Sequence, residues 1–246
     1  MVKIVHNFNI NSIRPFFFRP VQGDVLEIGP LDRPVIKRAK YFDVLPTEVL
    51  KEYADKVGRV PENVPEIDFY SSNSDLSIIN EQFDYVVSSH VIEHQPDIIK
   101  HLRQVHDLLI PGGAYFMVVP DRRYCFDYYL CDSTPEEMKA AQGNALHTLE
   151  NVIQHLTETT HNKALLHWLG FHGSKVNDKA SNELTESVKS NLEKGKYMDA
   201  HAWQFTPDSF AGCMIEIEDL TDLVVERINR TLPGLQEFTA ILRRPV

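Results

Sequence analysis

The chain has 246 residues, 43% of them apolar, and a formal charge of −10. That length fits one large α/β domain spanning 1–246, and the apolar share is enough for a full core. The acidic balance argues against a nucleic-acid partner, which calls for Lys and Arg in surplus on one face, and no run of ~18 apolar residues is present to cross a bilayer.

In chain order, the first twenty residues, MVKIVHNFNINSIRPFFFRP, are broken by Asn, Arg and Pro and do not read as a secretory leader. Asp24–Gly29 is a short apolar strand ending in glycine. Residues 33–40 can form a short helix, Tyr41–Val44 a second strand, and Pro65–Ser71 a weakly marked third. Phe83–Ser89 is a clear fourth strand. Residues 96–109 repeat Ile98, Ile99, Leu102, Val105, Leu108 and Leu109 at helical spacing, and Pro111-Gly112-Gly113 is expected to stop that helix. Ala114–Val119 is a fifth strand. This alternation implies a parallel sheet with helices on both faces.

From residue 122 to about 200 the pattern turns helical, and six of the eleven histidines lie from Asp121 through His201, that residue included. Thr134-Pro135-Glu136-Glu137 has the residues of a helix start, with Thr at the N-cap and Glu at N3. Further helices are expected over 145–158 and 181–194. Thr206-Pro207 opens another helix, and 222–229 and 237–244 read as two strands around Pro233-Gly234. Residues 122–200 therefore read as a helical insertion over the carboxyl edge of the sheet. Cys125, Cys131 and Cys213 form no CxxC pair, which suits a reducing cytoplasm.

In open α/β sheets, ligands sit beyond the carboxyl ends of the strands. Glu27-Ile28-Gly29 falls at such an end, where glycine admits close backbone approach and Glu27 can fix the loop by accepting its N–H groups. Asp43, fourteen positions after Gly29, can take both hydroxyls of a ribose. Ser74 and Asp75, in the stretch before the fourth strand, and Ser89, at its end, complete the candidate cofactor set. Pro30 removes an N–H from the loop, and the three glycines of a nicotinamide-dinucleotide fingerprint are absent.

VLEIG, FDYVVSSHVIEH and LLIPGGAYFMVVPD together resemble the motif series of class I S-adenosylmethionine-dependent methyltransferases, closest to the bacterial "methyltransferase domain" or type 11 group. The resemblance covers residues 22–121 well and 203–244 loosely. It implies a Rossmann-like, doubly wound, seven-stranded and mostly parallel sheet with an antiparallel C-terminal hairpin. It also implies S-adenosylmethionine as cofactor.

Methyl transfer requires an acceptor atom in line with the methyl group and, for a hydroxyl, a base to take its proton. His90, His94, Asp121 and His201 are the catalytic candidates, and Arg122, Arg123 and Trp203 the acceptor-binding ones; His167 and Trp168 are weaker candidates for the acceptor pocket. His90-x-x-Glu93-His94 matches the HxxEH of inverted zinc peptidases only formally, because it lies at a strand-to-helix turn. A similar Glu-x-x-Glu-His occurs in metal-assisted small-RNA 2′-O-methylating enzymes, with His90 here replacing the first Glu. Two imidazoles and a carboxylate suit a divalent transition metal, although no metal is required by the resemblance. The reading is methylation, on oxygen or nitrogen, of a small-molecule or carbohydrate acceptor, with bacterial surface-polysaccharide biosynthesis as the implied setting. The alternatives are a metal-assisted RNA 2′-O-methyltransferase and a non-catalytic cofactor-binding protein.

Overall fold

The computed structural model describes residues 14–177 and 180–246, so most of the stretch tested for a leader lies outside the described residues. Seven strands form one sheet: β1 (Val25–Ile28), β2 (Lys40–Asp43), β3 (Phe69–Tyr70), β4 (Phe83–Ser89), β5 (Leu109–Pro120), β6 (Val224–Asn229) and β7 (Glu237–Arg243). Their order is β3-β2-β1-β4-β5-β7-β6. All neighbours from β3 to β5 are parallel, while β7 runs antiparallel to both β5 and β6. The connection direction reverses between β1 and β4, which opens a crevice at their carboxyl ends.

Nine α-helices are assigned among the described residues: α1 (Arg14–Phe17), α2 (Thr47–Lys56), α3 (Ile98–Leu108), α4 (Pro135–Ala140), α5 (Leu149–Thr157), α6 (Ala164–Trp168), α7 (Asn182–Glu193), α8 (Pro207–Glu216) and α9 (Glu218–Thr221). The periodicity read in residues 96–109 is α3, whose apolar stripe is buried. Its N-cap is Asp97, whose carboxylate accepts the Lys100 N–H at 2.8 Å. That stripe belongs to the main core, together with Leu26, Val86, Tyr115 and Met117 of the sheet and Phe210 of α8. Each such large apolar side chain, buried, stabilises the fold by about 1.5–3 kcal/mol.

Two local expectations change. Residues 33–40 do not form a helix. The Glu27 carboxylate accepts the N–H groups of Val35 at 2.8 Å and Ile36 at 3.0 Å, so both donors are held in a loop geometry. The second sheet face is accordingly closed by Phe17 and Phe18 and by Val35, Ile36 and Ala39, rather than by a long helix. Pro111-Gly112-Gly113 lies inside β5. The β4–β5 register shifts there, and a Cβ on Gly113 would meet the carbonyl oxygens of Ile110 at 2.9 Å and Asp84 at 3.0 Å.

Between β5 and α8 the chain forms α4 to α7. The Thr134 capping box is present, and α5 and α7 share a small core of Val152, Val188 and Ala200. No helix among the described residues is long and apolar enough to cross a membrane.

Candidate active site

A cavity of about 470 Å³ opens over the β1, β2 and β4 ends. One end is lined by Gly29, Leu31, Asp43, Val44 and Ser72 to Ser74, the other by His90, His94, Ala145, Tyr197 and Asp199.

At the first end, Gly29 has φ +66° and donates its N–H to Phe42 O at 2.9 Å, tying the β1 exit to β2. Asp43 is buried, and its Oδ1 accepts from Val44 N at 2.7 Å and Leu45 N at 3.3 Å. No protein donor within hydrogen-bond reach of Oδ2 exists among the described residues, which leaves that oxygen for a ligand. Loss of water pushes the carboxyl up to about 6, against the pull of its two backbone donors. Ser74, at φ +58°, donates to Gln95 Oε1 at 3.2 Å. Gln95 in turn donates to Val91 O at 3.0 Å, and its own carbonyl accepts the Trp203 indole N–H at 2.6 Å.

The other cofactor candidates sit off the cavity. Glu27 is 2% exposed and serves the 35–36 loop, its carboxyl pushed up to about 7 by burial despite those two N–H groups. Pro30 is buried in that loop. Asp75 caps the 3-10 turn Leu76–Ile78 through the Ser77 N–H and accepts from Gln104 Nε2, so its carboxylate is spoken for. The Ser89 hydroxyl is buried without a partner and does not line the cavity.

At the second end, β4 runs into His90, whose φ is +57°, and then into a 3-10 turn over Ile92–His94. His90 Nε2 lies 2.7 Å from Glu237 Oε2, and Arg14 reaches the same carboxylate at 3.1 Å. His94 Nδ1 lies 2.9 Å from Asp199 Oδ1, a charge contact rather than an aligned hydrogen bond. Burial would lower His94, but Asp199 and then Glu93 outweigh it and hold the imidazole near 9. His201 stands behind His94, the two rings edge-to-face at 4.6 Å, and its Nδ1 donates to Asp127 Oδ2 at 2.6 Å. The Glu93 carbonyl accepts the N–H groups of Ala202 at 2.8 Å and Trp203 at 3.2 Å, docking the end of the helical segment onto the β4 turn.

Several acceptor-side expectations move. Asp121 is fully enclosed, pairing with Arg123 Nη2 at 2.7 Å and accepting from Thr231 Oγ1 at 2.5 Å, so it neither lines the cavity nor can serve there as a base. Arg122 pairs with Asp132 at 2.5 Å, and with Arg123 bound to Asp121 neither guanidinium reaches the cavity. Trp203 is 5% exposed and holds Gln95, not an acceptor. Trp168 stacks on Tyr124 at 3.9 Å, and His167 meets His172 at 3.0 Å within the helical segment. Sequence reasoning missed Asp127, Asp199, Tyr197 and Glu237. The one local signal is Asp199, a lone carboxylate two residues ahead of His201 among Tyr197, Met198, Ala200 and Ala202.

A seven-stranded sheet of this order, with its cleft at the β1/β4 reversal and a ligand-facing carboxylate at the β2 end, defines a class I S-adenosylmethionine-dependent methyltransferase. The residues fit that cofactor: Asp43 keeps one oxygen without a protein donor at the β2 end, where it would accept from a ribose, and the cavity lies in the ~300–1,000 Å³ range of small-molecule sites. The family described as "Methyltransferase domain" matches residues 3–214, and the chain belongs to it. Over 49 residues it is 45% identical to a ubiquinone biosynthesis O-methyltransferase from Ruegeria pomeroyi, a match spanning 20% of either protein. Among solved structures, the CcbJ methyltransferase from Streptomyces caelestis is similar at 11% identity, with 96% of each chain covered and a TM-score of 0.50. A Burkholderia thailandensis 1,6-didemethyltoxoflavin-N1-methyltransferase, solved with its substrate and S-adenosylhomocysteine, is similar at 12% identity over 96% of this chain and 78% of that one, with a TM-score of 0.48.

Proposed function

We propose that the chain transfers the methyl group of S-adenosylmethionine to an oxygen or nitrogen of a small neutral or cationic acceptor, a carbohydrate hydroxyl being the leading class. The observation that carries this is the lining of the single cavity joining the two ends. It contains Asp43, Asp199, His90, His94 and Tyr197, and no Lys or Arg among the described residues. The His94 imidazolium in this lining already faces Asp199 and Glu93, so a phosphorylated or carboxylated acceptor would meet no guanidinium or ammonium free to receive it.

Ala145, Tyr197 and Asp199 come from the helical 122–200 segment, which supports reading that segment as a lid that closes the acceptor end against water. The cytoplasm is the proposed location, in keeping with three unpaired cysteines. A role in surface-polysaccharide biosynthesis follows only if the acceptor is a sugar. The charge of −10 and the acidic lining speak against an RNA acceptor.

The test is a transfer assay with methyl-labelled cofactor against paired acceptors: neutral sugars and amines, the same compounds phosphorylated, and RNA. Label is expected in the unphosphorylated members. Label confined to phosphorylated compounds or RNA would overturn the acceptor class. Cofactor binding by calorimetry with no transfer to any class would favour a cofactor-binding protein.

A further inference from the structure

The structure assigns a divalent transition-metal site to Glu93, His94 and His201, at the acceptor end of the cavity. Glu93 is completely buried, and neither of its carboxylate oxygens has a hydrogen-bond partner. A carboxylate stripped of water and left without donors is costly, so something must compensate it. Three imidazole nitrogens surround its Oε1: His90 Nδ1 at 3.5 Å, His94 Nε2 at 3.9 Å and His201 Nε2 at 3.9 Å.

The far nitrogen of each ring is already taken by a different carboxylate. Glu237 holds His90 Nε2, Asp199 lies against His94 Nδ1, and Asp127 holds His201 Nδ1. In the neutral ring a carboxylate fixes the N–H on the nitrogen it touches and leaves the nitrogen nearer Glu93 as the ligand atom; the proton that His94 carries there without an ion is released as the ion binds. Without an ion the His94 imidazolium, 3.9 Å away, is a distant and unaligned counter-charge for Glu93, and a cation seated among the three ligand atoms replaces it at bonding distance. An outer carboxylate behind each imidazole is the arrangement that orients metal-binding histidines.

The spacing agrees. Donors 2.0–2.1 Å from a tetrahedral ion stand about 3.4 Å apart. One donor atom from each of Glu93, His94 and His201 lies within 4.8 Å of the others, so a contraction of an ångström or so closes the set. His90 stands beside it at the cavity wall. Two imidazoles and one carboxylate are borderline donors, suited to Zn²⁺, Co²⁺ or Fe²⁺ and poorly to Mg²⁺ or Ca²⁺, which prefer oxygen. An ion here borders the acceptor, where it would bind and acidify a hydroxyl. The site rests on its own geometry, and the cofactor reading can fail without it.

The experiment measures metal content of the purified chain, then strips it with chelator and titrates it with Zn²⁺ and, separately, with Co²⁺ read by its visible d–d absorption. About one ion per chain is expected. Glu93→Gln and His201→Gln are expected to lose it, and Asp127→Asn to weaken it about 10–100-fold. Asp43→Ala, at the other end of the cavity, is expected to bind the ion as the parent does. S-adenosylhomocysteine binding by calorimetry, with and without ion, tests the cofactor cleft separately. A parent chain that takes up no ion and shows no cobalt band overturns the site, as do ligand variants that bind like the parent. Should the buried Glu93 and His201 variants fail to fold, the partly exposed His94→Gln and the parent stoichiometry decide the matter.

Discussion

A Cβ placed on Gly29 would lie 2.8 Å from Cγ2 of Val91, so the β1 exit and the start of the β4 turn touch where only glycine fits. The backbone there is also left-handed, at φ +66°. Gly29→Ala must therefore shift one loop or the other, and both border the cavity. The expected outcome is a loss of about 1–3 kcal/mol of stability together with a weaker affinity for S-adenosylhomocysteine. Thermal melting with and without that ligand checks both. A variant that melts and binds like the parent would show that the contact is not constraining.

Asp43 is expected to set a pH limit on cofactor binding. Its carboxyl is raised to about 6, so it is ionised at neutral pH and neutral below that value. Only the ionised form offers Oδ2 as a full acceptor to two ribose hydroxyls. The dissociation constant for S-adenosylhomocysteine should be flat above about pH 7 and rise up to tenfold per unit below about 6. Asp43→Asn should bind weakly and without that dependence. Calorimetric titrations from pH 5 to 8 would decide it, and a parent affinity unchanged across that range would remove Asp43 from cofactor recognition.

The stretches most legible in the sequence were those in which one apolar run makes one element. Phe83–Ser89 is β4 to the residue, and the stripe in 96–109 is α3. At the end of its apolar run Glu27 reads as a loop anchor, and it accepts the Val35 and Ile36 N–H groups. The same contact explains why residues 33–40 form no helix, a consequence invisible without knowing which N–H groups the carboxylate would take. The acceptor side was less legible because its partners are distant in sequence. Asp127 meets His201, Glu237 meets His90, and Asp121 is satisfied by Arg123 and Thr231. A short motif cannot reveal that Asp121 is already saturated.

Glu27 also makes stability depend on pH in an unusual direction. Burial raises its folded-state pKa from 4.5 to about 7. Between those values the folded chain holds a proton that the unfolded chain has lost. The contribution of Glu27 to stability is therefore fully present below about 4.5 and falls as pH rises toward 7, by up to about 3 kcal/mol. Glu27→Gln should remove this component, at the cost of one of the two loop hydrogen bonds. Denaturant unfolding at pH 5 and pH 8 should show a smaller difference in the variant than in the parent. An equal difference in both would contradict the assignment.

Asp121 and Arg123 test a structural against a catalytic role. Asp121 is buried beneath a half-exposed Arg123, and its second oxygen accepts from Thr231. Removing the guanidinium strands a buried charge, so Arg123→Ala should destabilise by about 3–5 kcal/mol at most, less to the extent that water reaches the site. A base at Asp121 would instead show as a collapse of kcat in Asp121→Asn with stability retained. Melting temperature and steady-state rates measured on the same preparations separate the two, and the expected result is lowered stability with kcat largely kept in the folded fraction.

Trp203 joins the helical segment to the cofactor loop. Its indole N–H donates to Gln95 O, while the Gln95 side chain bridges Ser74 Oγ and Val91 O. Trp203→Phe keeps most of the buried ring but leaves the Gln95 carbonyl without that donor, a loss on the order of 1–3 kcal/mol. The loosened Gln95 no longer fixes Ser74, so the effect should appear as a several-fold rise in the KM for S-adenosylmethionine. The acceptor KM should hardly move. A tryptophan that stacked on the acceptor would give the reverse pattern, with acceptor KM raised and cofactor KM unchanged. Measuring both constants on one variant therefore tells a positioning role from an acceptor wall.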